Sequence, residues 1–334
     1  FPFLRSIFGM LGATGQVVPL IVDYMTIWMF GMLFFVTPVV GTSALRARGD
    51  ARTPMFVMIG GTIINAVLDP LLIFGLAGFP ALGIEGAALA TAIARGISTV
   101  ATLWILASRH AMRSFGRGVL EQIGASWREL LRIGLPAAGT NVIVPVTTAI
   151  LTRLVADYGE PAVAAYGAGS RIESMAILVF FSLSSGLSPI VGQSWGADLK
   201  ERVIETVSLS QKVAIGWGAL TFALFAIGAS SLAGSFVEGE EAATHLALYL
   251  LVVPAGHAPQ GVFLVCNAAL NAIDRPVQAA TLSLTRTLVL TAPMAWIASW
   301  WFDLAGIFAS IAAANLLIGL GAALWTRRIL RTAK

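Results

Sequence analysis

Nine apolar runs, each long enough to cross a lipid bilayer, constrain this chain more than any other feature. They fall at residues 17–45, 54–74, 86–107, 131–155, 164–191, 213–236, 246–272, 279–301 and 304–325. A membrane helix needs about 20 mostly apolar residues to span the hydrocarbon core, and inside it every backbone N–H and C=O must be satisfied within the fold. Composition agrees: 57% of residues are hydrophobic and 11% charged, against about 25% charged in an ordinary soluble domain. The expected fold is an all-α integral membrane protein. Pro38, Pro136, Pro145, Pro254 and Pro259 lie inside these runs and predict kinks, because a proline lacks its N–H and frees a carbonyl one turn back.

Arginine and lysine assign the sides. Every second connection is basic: Arg46, Arg48 and Arg52, then the Arg-rich stretch from Arg109 to Arg132, then Lys200, Arg202 and Lys212, then Arg275, and the tail from Arg327 to Lys334. Sixteen of the 21 basic residues sit on that face. The opposite connections carry Arg5, Arg153 and the acidic cluster Glu238, Glu240 and Glu241. By the positive-inside rule the basic face is cytoplasmic, so the C-terminus is expected inside and Phe1 outside. The net charge of +4 thus reflects cytoplasmic loops, and no nucleic-acid partner is expected. The single cysteine, Cys266, excludes an intrachain disulfide. The opening on Phe1, without a signal pattern, reads as a fragment whose start is missing.

The chain also repeats itself. "SALRARGDARTPM" from Ser43 is echoed by "AALNAIDRPVQAA" from Ala268, pairing Asp50 with Asp274 and Pro54 with Pro276. Tyr24 likewise matches Tyr249 and Trp104 matches Trp325, at offsets of 221 to 225 residues. Six helices separate the copies, so both run the same way through the membrane, as in two-lobe transporters with parallel repeats. Residues 1–124 are then an incomplete N-terminal lobe plus linker, and 125–334 a complete six-helix lobe: nine of twelve helices.

Buried polar groups stand out against this background. In "NAVLDPLLIFG", Asp69 lies deep within a run that has no other charge, with Asn65 one turn earlier on the same helical face and Pro70 beside it. A charge at the bilayer centre costs roughly 2.5–3.5 kcal/mol or more, so it persists mainly where it functions. Desolvation favours the neutral form of a carboxyl, which lets such a group take up a proton and release it when its cavity wets. The alternative is a structural kink whose Asp satisfies a neighbouring helix. Arg171 and Glu173 either neutralise neighbouring helices or line a cavity of the second lobe; they are too close in sequence to face each other. His257 and Gln260, three residues apart, form one polar face, as structural groups or as part of that cavity. Arg286 has no acidic neighbour in sequence. No lysine follows a glycine, which excludes a Walker A motif, and the scattered His and Cys give no metal site. No G-x-S-x-G elbow or H-E-x-x-H helix is present, so an enzyme is not expected.

"RARGDARTP", "NAVLDPLLIFG", "GIEGAALATAIARGIS", "AAYGAGSRIES" and "SPIVGQSWGADLKERV", in this order, resemble the multidrug and toxic compound extrusion (MATE) transporters across essentially the whole chain. The resemblance implies a multi-pass protein of the inner membrane, acting as a monomer, that exports small amphipathic organic cations by cation antiport without a cofactor. Within the family the chain looks most like the proton-coupled DinF-type branch, whose polar cluster falls on Tyr24, Asn65, Asp69 and Thr91. The Na⁺-coupled branch places a Glu in the helix at 131–155, which here has no acidic residue; Na⁺ coupling stays open because the first helices are absent. Thr91 among small residues, and Tyr24 near a helix end, fit tight packing and an aromatic belt equally well. The rival reading is a lipid-linked flippase of the same superfamily, which would want a cationic cavity; Arg95, Arg171 and Arg286 are the intramembrane bases. An intramembrane enzyme or a passive channel explains the repeat less well.

Overall fold

The computed structural model describes Val17–Arg109 and Val119–Thr332, helical throughout apart from short turns. Phe1, Arg5 and residues 110–118 of the Arg-rich linker lie outside the described residues. The chain divides into two compact units, Phe1–Val119 and Leu120–Lys334.

The first unit holds α1 (Val17–Ala47), α2 (Arg52–Phe74) and α3 (Gly83–Arg109), with α3 packed against both others. Small residues allow the approach: a Cβ on Gly31 would meet Ala92, one on Gly61 would meet Ser98, and one on Gly86 would strike the Leu72 carbonyl. The proline in α1 also has a structural consequence. Pro38 cannot donate to the Phe34 carbonyl, and Thr99 of α3 supplies the missing donor, Oγ1 to O at 2.7 Å. One hydrogen bond thus repairs the kink and ties two helices together.

The second unit holds α4 (Val119–Ala156), α5 (Glu160–Gly196), α6 (Lys200–Phe236), α7 (Glu240–Val252), α8 (His257–Ala272), α9 (Pro276–Leu284) and α10 (Ala292–Thr332). A 3₁₀ turn, Val253–Gly256, joins α7 to α8, and a π-helical segment, Thr285–Thr291, joins α9 to α10. The run Pro276–Thr332 is 57 residues long. Straight, it would measure about 86 Å, nearly three bilayer cores. Phe302 and Asp303 break it with non-helical backbone (Asp303 φ 50°), which makes two crossings, as the sequence implies. Nine crossings result among the described residues, in agreement with the nine apolar runs.

Helix ends differ from the apolar limits. α4 begins at Val119, twelve residues before its apolar run, so the second half of the linker is helical. α6 similarly begins at Lys200. "VLEQIGASWREL" and "KERVIETVSLSQK" are polar but rich in good helix formers, so polarity marks the edge of the bilayer and not the end of the helix.

The second unit has two apolar cores along its length. One gathers Tyr166, Ile172, Leu246, Val253, Ile307 and Phe308; the other gathers Phe180, Val191, Val203, Val265, Leu270 and Ile318. Between them in chain position lie Glu173, Thr221, His257, Gln260, Arg286 and Asn315, the polar residues of α5, α6, α8, the π segment and α10. The 3₁₀ turn Val253–Gly256 and the π segment Thr285–Thr291 fall at this level.

Candidate functional site

In the first unit Asn65 is the connecting group. Its Nδ2 donates to Asp69 Oδ1 and to Thr91 Oγ1, both at 3.4 Å, while the Thr91 hydroxyl donates to the Ala87 carbonyl at 3.0 Å. The i,i+4 spacing puts the amide beside the carboxylate, and small residues along α3 let Thr91 approach from the facing helix. The structure therefore brings together three of the four residues marked on the sequence. Tyr24 is half-buried on α1, and among the described residues no hydrogen bond joins it to the other three. The helix ends where the apolar run does, and Asp69 stands near that end. α2 stops at Phe74, where Gly75 turns left-handed (φ 71°), so the carboxylate lies about 8 Å from the end of its helix rather than at mid-span.

Next to this cluster is a cavity of about 180 Å³, lined among others by Thr42, Thr62, Asn65, Thr91, Arg95 and Ser98. Arg95, one turn beyond Thr91, places its guanidinium 4.9 Å from the ring centre of Phe35.

In the second unit Glu173 is the centre. Tyr249 donates its hydroxyl to Glu173 Oε2 at 2.5 Å, and His257 Nε2 lies 3.6 Å from Oε1. His257 Nδ1 is 3.0 Å from Thr221 Oγ1, whose own proton goes to the Gly218 carbonyl at 3.0 Å. With the Thr221 proton on Gly218, Nδ1–H donates to Thr221, and the buried Nε2 faces the carboxylate without a hydrogen-bond partner among the described residues. Arg286 donates Nε–H to Asn315 Oδ1 at 3.0 Å and lies over the Phe263 ring at 5.3 Å. Gln260 is buried, and among the described residues its Oε1 has no partner. Arg171 is exposed while Glu173 two residues on is mostly buried, so the structure does not bring Arg171 into this layer.

Tyr249, Thr221, Asn315 and the cavity position of Arg95 escaped sequence reasoning as site features. Tyr249 carried only the repeat match to Tyr24, and nothing in sequence pairs it with a glutamate 76 residues away. Arg95 and Asn315 did carry a usable signal, as lone polar side chains inside apolar runs. Among the described residues no group of three or more His, Cys, Asp or Glu could hold a metal ion.

The family profile MatE matches residues 1–71 and 136–297. The FAD transporter of Shewanella oneidensis is 34% identical over 332 residues, covering 99% of this chain and 74% of that protein. The multidrug export protein MepA of Staphylococcus aureus is 25% identical over 97% of this chain and 70% of its own length. Among solved structures, a mutant of the Vibrio cholerae MATE transporter VcmN superposes with a TM-score of 0.91 at 27% identity, over 99% of this chain and 74% of that one. These relatives are transporters.

Proposed function

The chain belongs to the MatE family of membrane transporters, and from that premise we propose that it is a proton-coupled exporter of amphipathic small molecules at the bacterial inner membrane. The observation that carries this reading is the Asp69–Asn65–Thr91 cluster, which spans two helices beside a polar cavity. A carboxyl held by one amide can be neutralised without leaving a buried group stranded. When Asp69 takes a proton, the Asn65 amide stays with Thr91; when it loses the proton, the amide supports the charge. Tyr24, one turn from the Trp28 wall of α1, belongs to this DinF-like arrangement by resemblance. Glu173, His257 and Gln260 are a second polar layer that bridges helices, with Arg171 outside it. No cofactor is needed, and the working unit is a monomer. The basic connections face the cytoplasm.

The test is pH-gradient-driven efflux from vesicles, with the full-length protein at matched expression. Asp69→Asn keeps the size and hydrogen bonding of a protonated carboxyl but cannot titrate, so transport should fall to background while folding is retained. Asn65→Ala should impair coupling less, because it removes a partner and not the titrating group. Wild-type efflux by Asp69→Asn would reduce the carboxylate to a support for the Pro70 kink.

Two cargo classes suit this exporter. The resemblance to multidrug transporters points to amphipathic organic cations. The similarity to an FAD transporter over 99% of the chain, together with an arginine on the cavity wall, favours a flavin nucleotide as the second reading.

A further inference from the structure

One crossing of the second unit is built in two halves. α7 (Glu240–Val252) and α8 (His257–Ala272) meet at the 3₁₀ turn Val253–Gly256, and Glu173 of α5 reaches both sides of that bend. Its Oε2 accepts from the Tyr249 hydroxyl of the α7 half at 2.5 Å, and its Oε1 lies 3.6 Å from His257 Nε2 on the α8 half. The two contacts are not alike. On the α7 side a Cβ added to Gly169 of α5 would run into the Tyr249 ring, so helix and phenol already touch. On the α8 side Nδ1–H is committed to Thr221 at 3.0 Å, and the fully buried Nε2 has no hydrogen-bond partner among the described residues.

A neutral imidazole held this way turns its Nε2 lone pair toward a carboxylate oxygen, so two acceptors face each other. A proton placed between them makes an imidazolium–carboxylate pair. The usual length of such a bond, about 2.8 Å, would bring the two groups about 0.8 Å closer. His257 is not free to turn elsewhere. α6 holds its other nitrogen through Thr221, and a Cβ on Gly218, three residues earlier, would strike the Ala258 backbone.

The charges around the pair leave both protonation states open. Tyr166 of α5 and Arg286 of the π segment lie within electrostatic reach of Glu173, while Tyr249 and His257 face it directly. Arg171 is exposed, and Cys266 of α8 packs in the other core against Gln211. The remaining helices add no ionisable group at this depth: α4 has none between Arg132 and Arg153, α6 none between Lys212 and its end, α9 none at all, and α10 none between Asp303 and Arg327. With Glu173 and Arg286 charged, the layer without the proton is neutral but strands Nε2. With the proton, Nε2 is paired but the layer carries one net positive charge. Each state relieves one penalty and incurs another, so neither is locked in.

We propose that Glu173 and His257 form a proton-binding site of the second unit, in which a proton bound between Oε1 and Nε2 draws α8 toward α5 and tightens the bend at Val253–Gly256. It goes beyond the exporter reading, which rests on Asp69 in the first unit.

The test follows the imidazole nitrogen NMR signals of the histidine-labelled full-length protein in nanodiscs from about pH 5 to 8, where an imidazole ordinarily changes charge. The His257 signal is the one missing from His257→Gln. Thr221→Val removes only the acceptor for Nδ1–H and should displace the same signal, so the identification does not depend on His257→Gln folding. In the wild type this signal should pass from imidazolium to neutral imidazole as the pH rises through the window. In Glu173→Gln it should stay neutral throughout, because the amide N–H donates to Nε2 and takes the proton's place. An unshifted His245 signal, from α7, shows that this variant is folded. A His257 signal that keeps one charge state in the wild type overturns the site, as does an unaltered titration in Glu173→Gln. Asp69→Asn, which tests the exporter reading, should leave the His257 titration unchanged. Loss of the titration in that variant would tie both units to one proton and overturn a separate site.

Discussion

Tyr249 gives its hydroxyl to Glu173 at 2.5 Å while its ring meets Tyr166 and Phe308 edge-on, at 6.0 and 5.1 Å between centres. Those two roles separate in one substitution. Tyr249→Phe keeps the ring contacts and removes a hydrogen bond to a charged group, which is worth about 1.5–3 kcal/mol. Thermal unfolding in detergent should show the loss, and a combined Tyr249→Phe, Glu173→Gln variant should lose less than the two singles together, because the pair acts as a unit. An unchanged melting temperature would mean that water replaces the phenol without cost. At this scale the sequence is legible where partners share one helix turn. Asn65 and Asp69 could be paired by spacing alone; Glu173, Tyr249 and His257 could not, since the fold and not the spacing brings them together.

Helices in this chain meet through glycine, and the geometry says which glycines matter. A Cβ on Gly319 of α10 would lie 2.4 Å from the Pro259 carbonyl oxygen of α8, whereas one on Gly321 meets nothing within 4 Å. Gly319→Ala should therefore destabilise by about 1–3 kcal/mol through overpacking against rigid backbone. Gly321→Ala should stabilise by up to about 1 kcal/mol, because alanine restricts the unfolded chain and favours helix. Opposite shifts in detergent unfolding temperature are the expected result; shifts of the same sign would mean that α8 and α10 are not packed this closely in the membrane. Element existence was readable from apolar length, since a bilayer fixes how many residues a crossing needs. Element ends were not, because polar helical turns continue past the bilayer edge, as at Val119 and Lys200. Nor was the π segment around Arg286, whose register is set by its setting: Thr291 Oγ1 donates to the Arg286 carbonyl five residues back.

The whole chain shows its repeat most clearly in its turns. Asp50 N–H donates to the Leu45 carbonyl, Leu199 to Ser194 and Arg275 to Leu270, at 3.1, 2.9 and 2.9 Å. In each turn the preceding residue is left-handed: Gly49, Asp198 and Asp274 at φ 86°, 56° and 58°. This is the same helix-ending motif used three times. It matches Gly49 to Asp274, so the sequence pairing of Asp50 with Asp274 is one residue out at this loop. All three turns carry or adjoin the basic residues of the chain, which is why one face is predicted to be cytoplasmic throughout. Cysteines at two exposed turn positions decide it. Cys266 is fully buried and should label little, so the native chain supplies its own background. Glu238→Cys, in the acidic turn before α7, should react with an impermeant maleimide added to intact cells. Ala197→Cys, beside the Asp198 turn, should react only after lysis. Both side chains are exposed, so a difference in labelling reads the side of the membrane and not burial. The reverse pattern would place the arginine-rich connections outside, which would invert every crossing and remove the physical basis for an outward-directed proton antiport through Asp69.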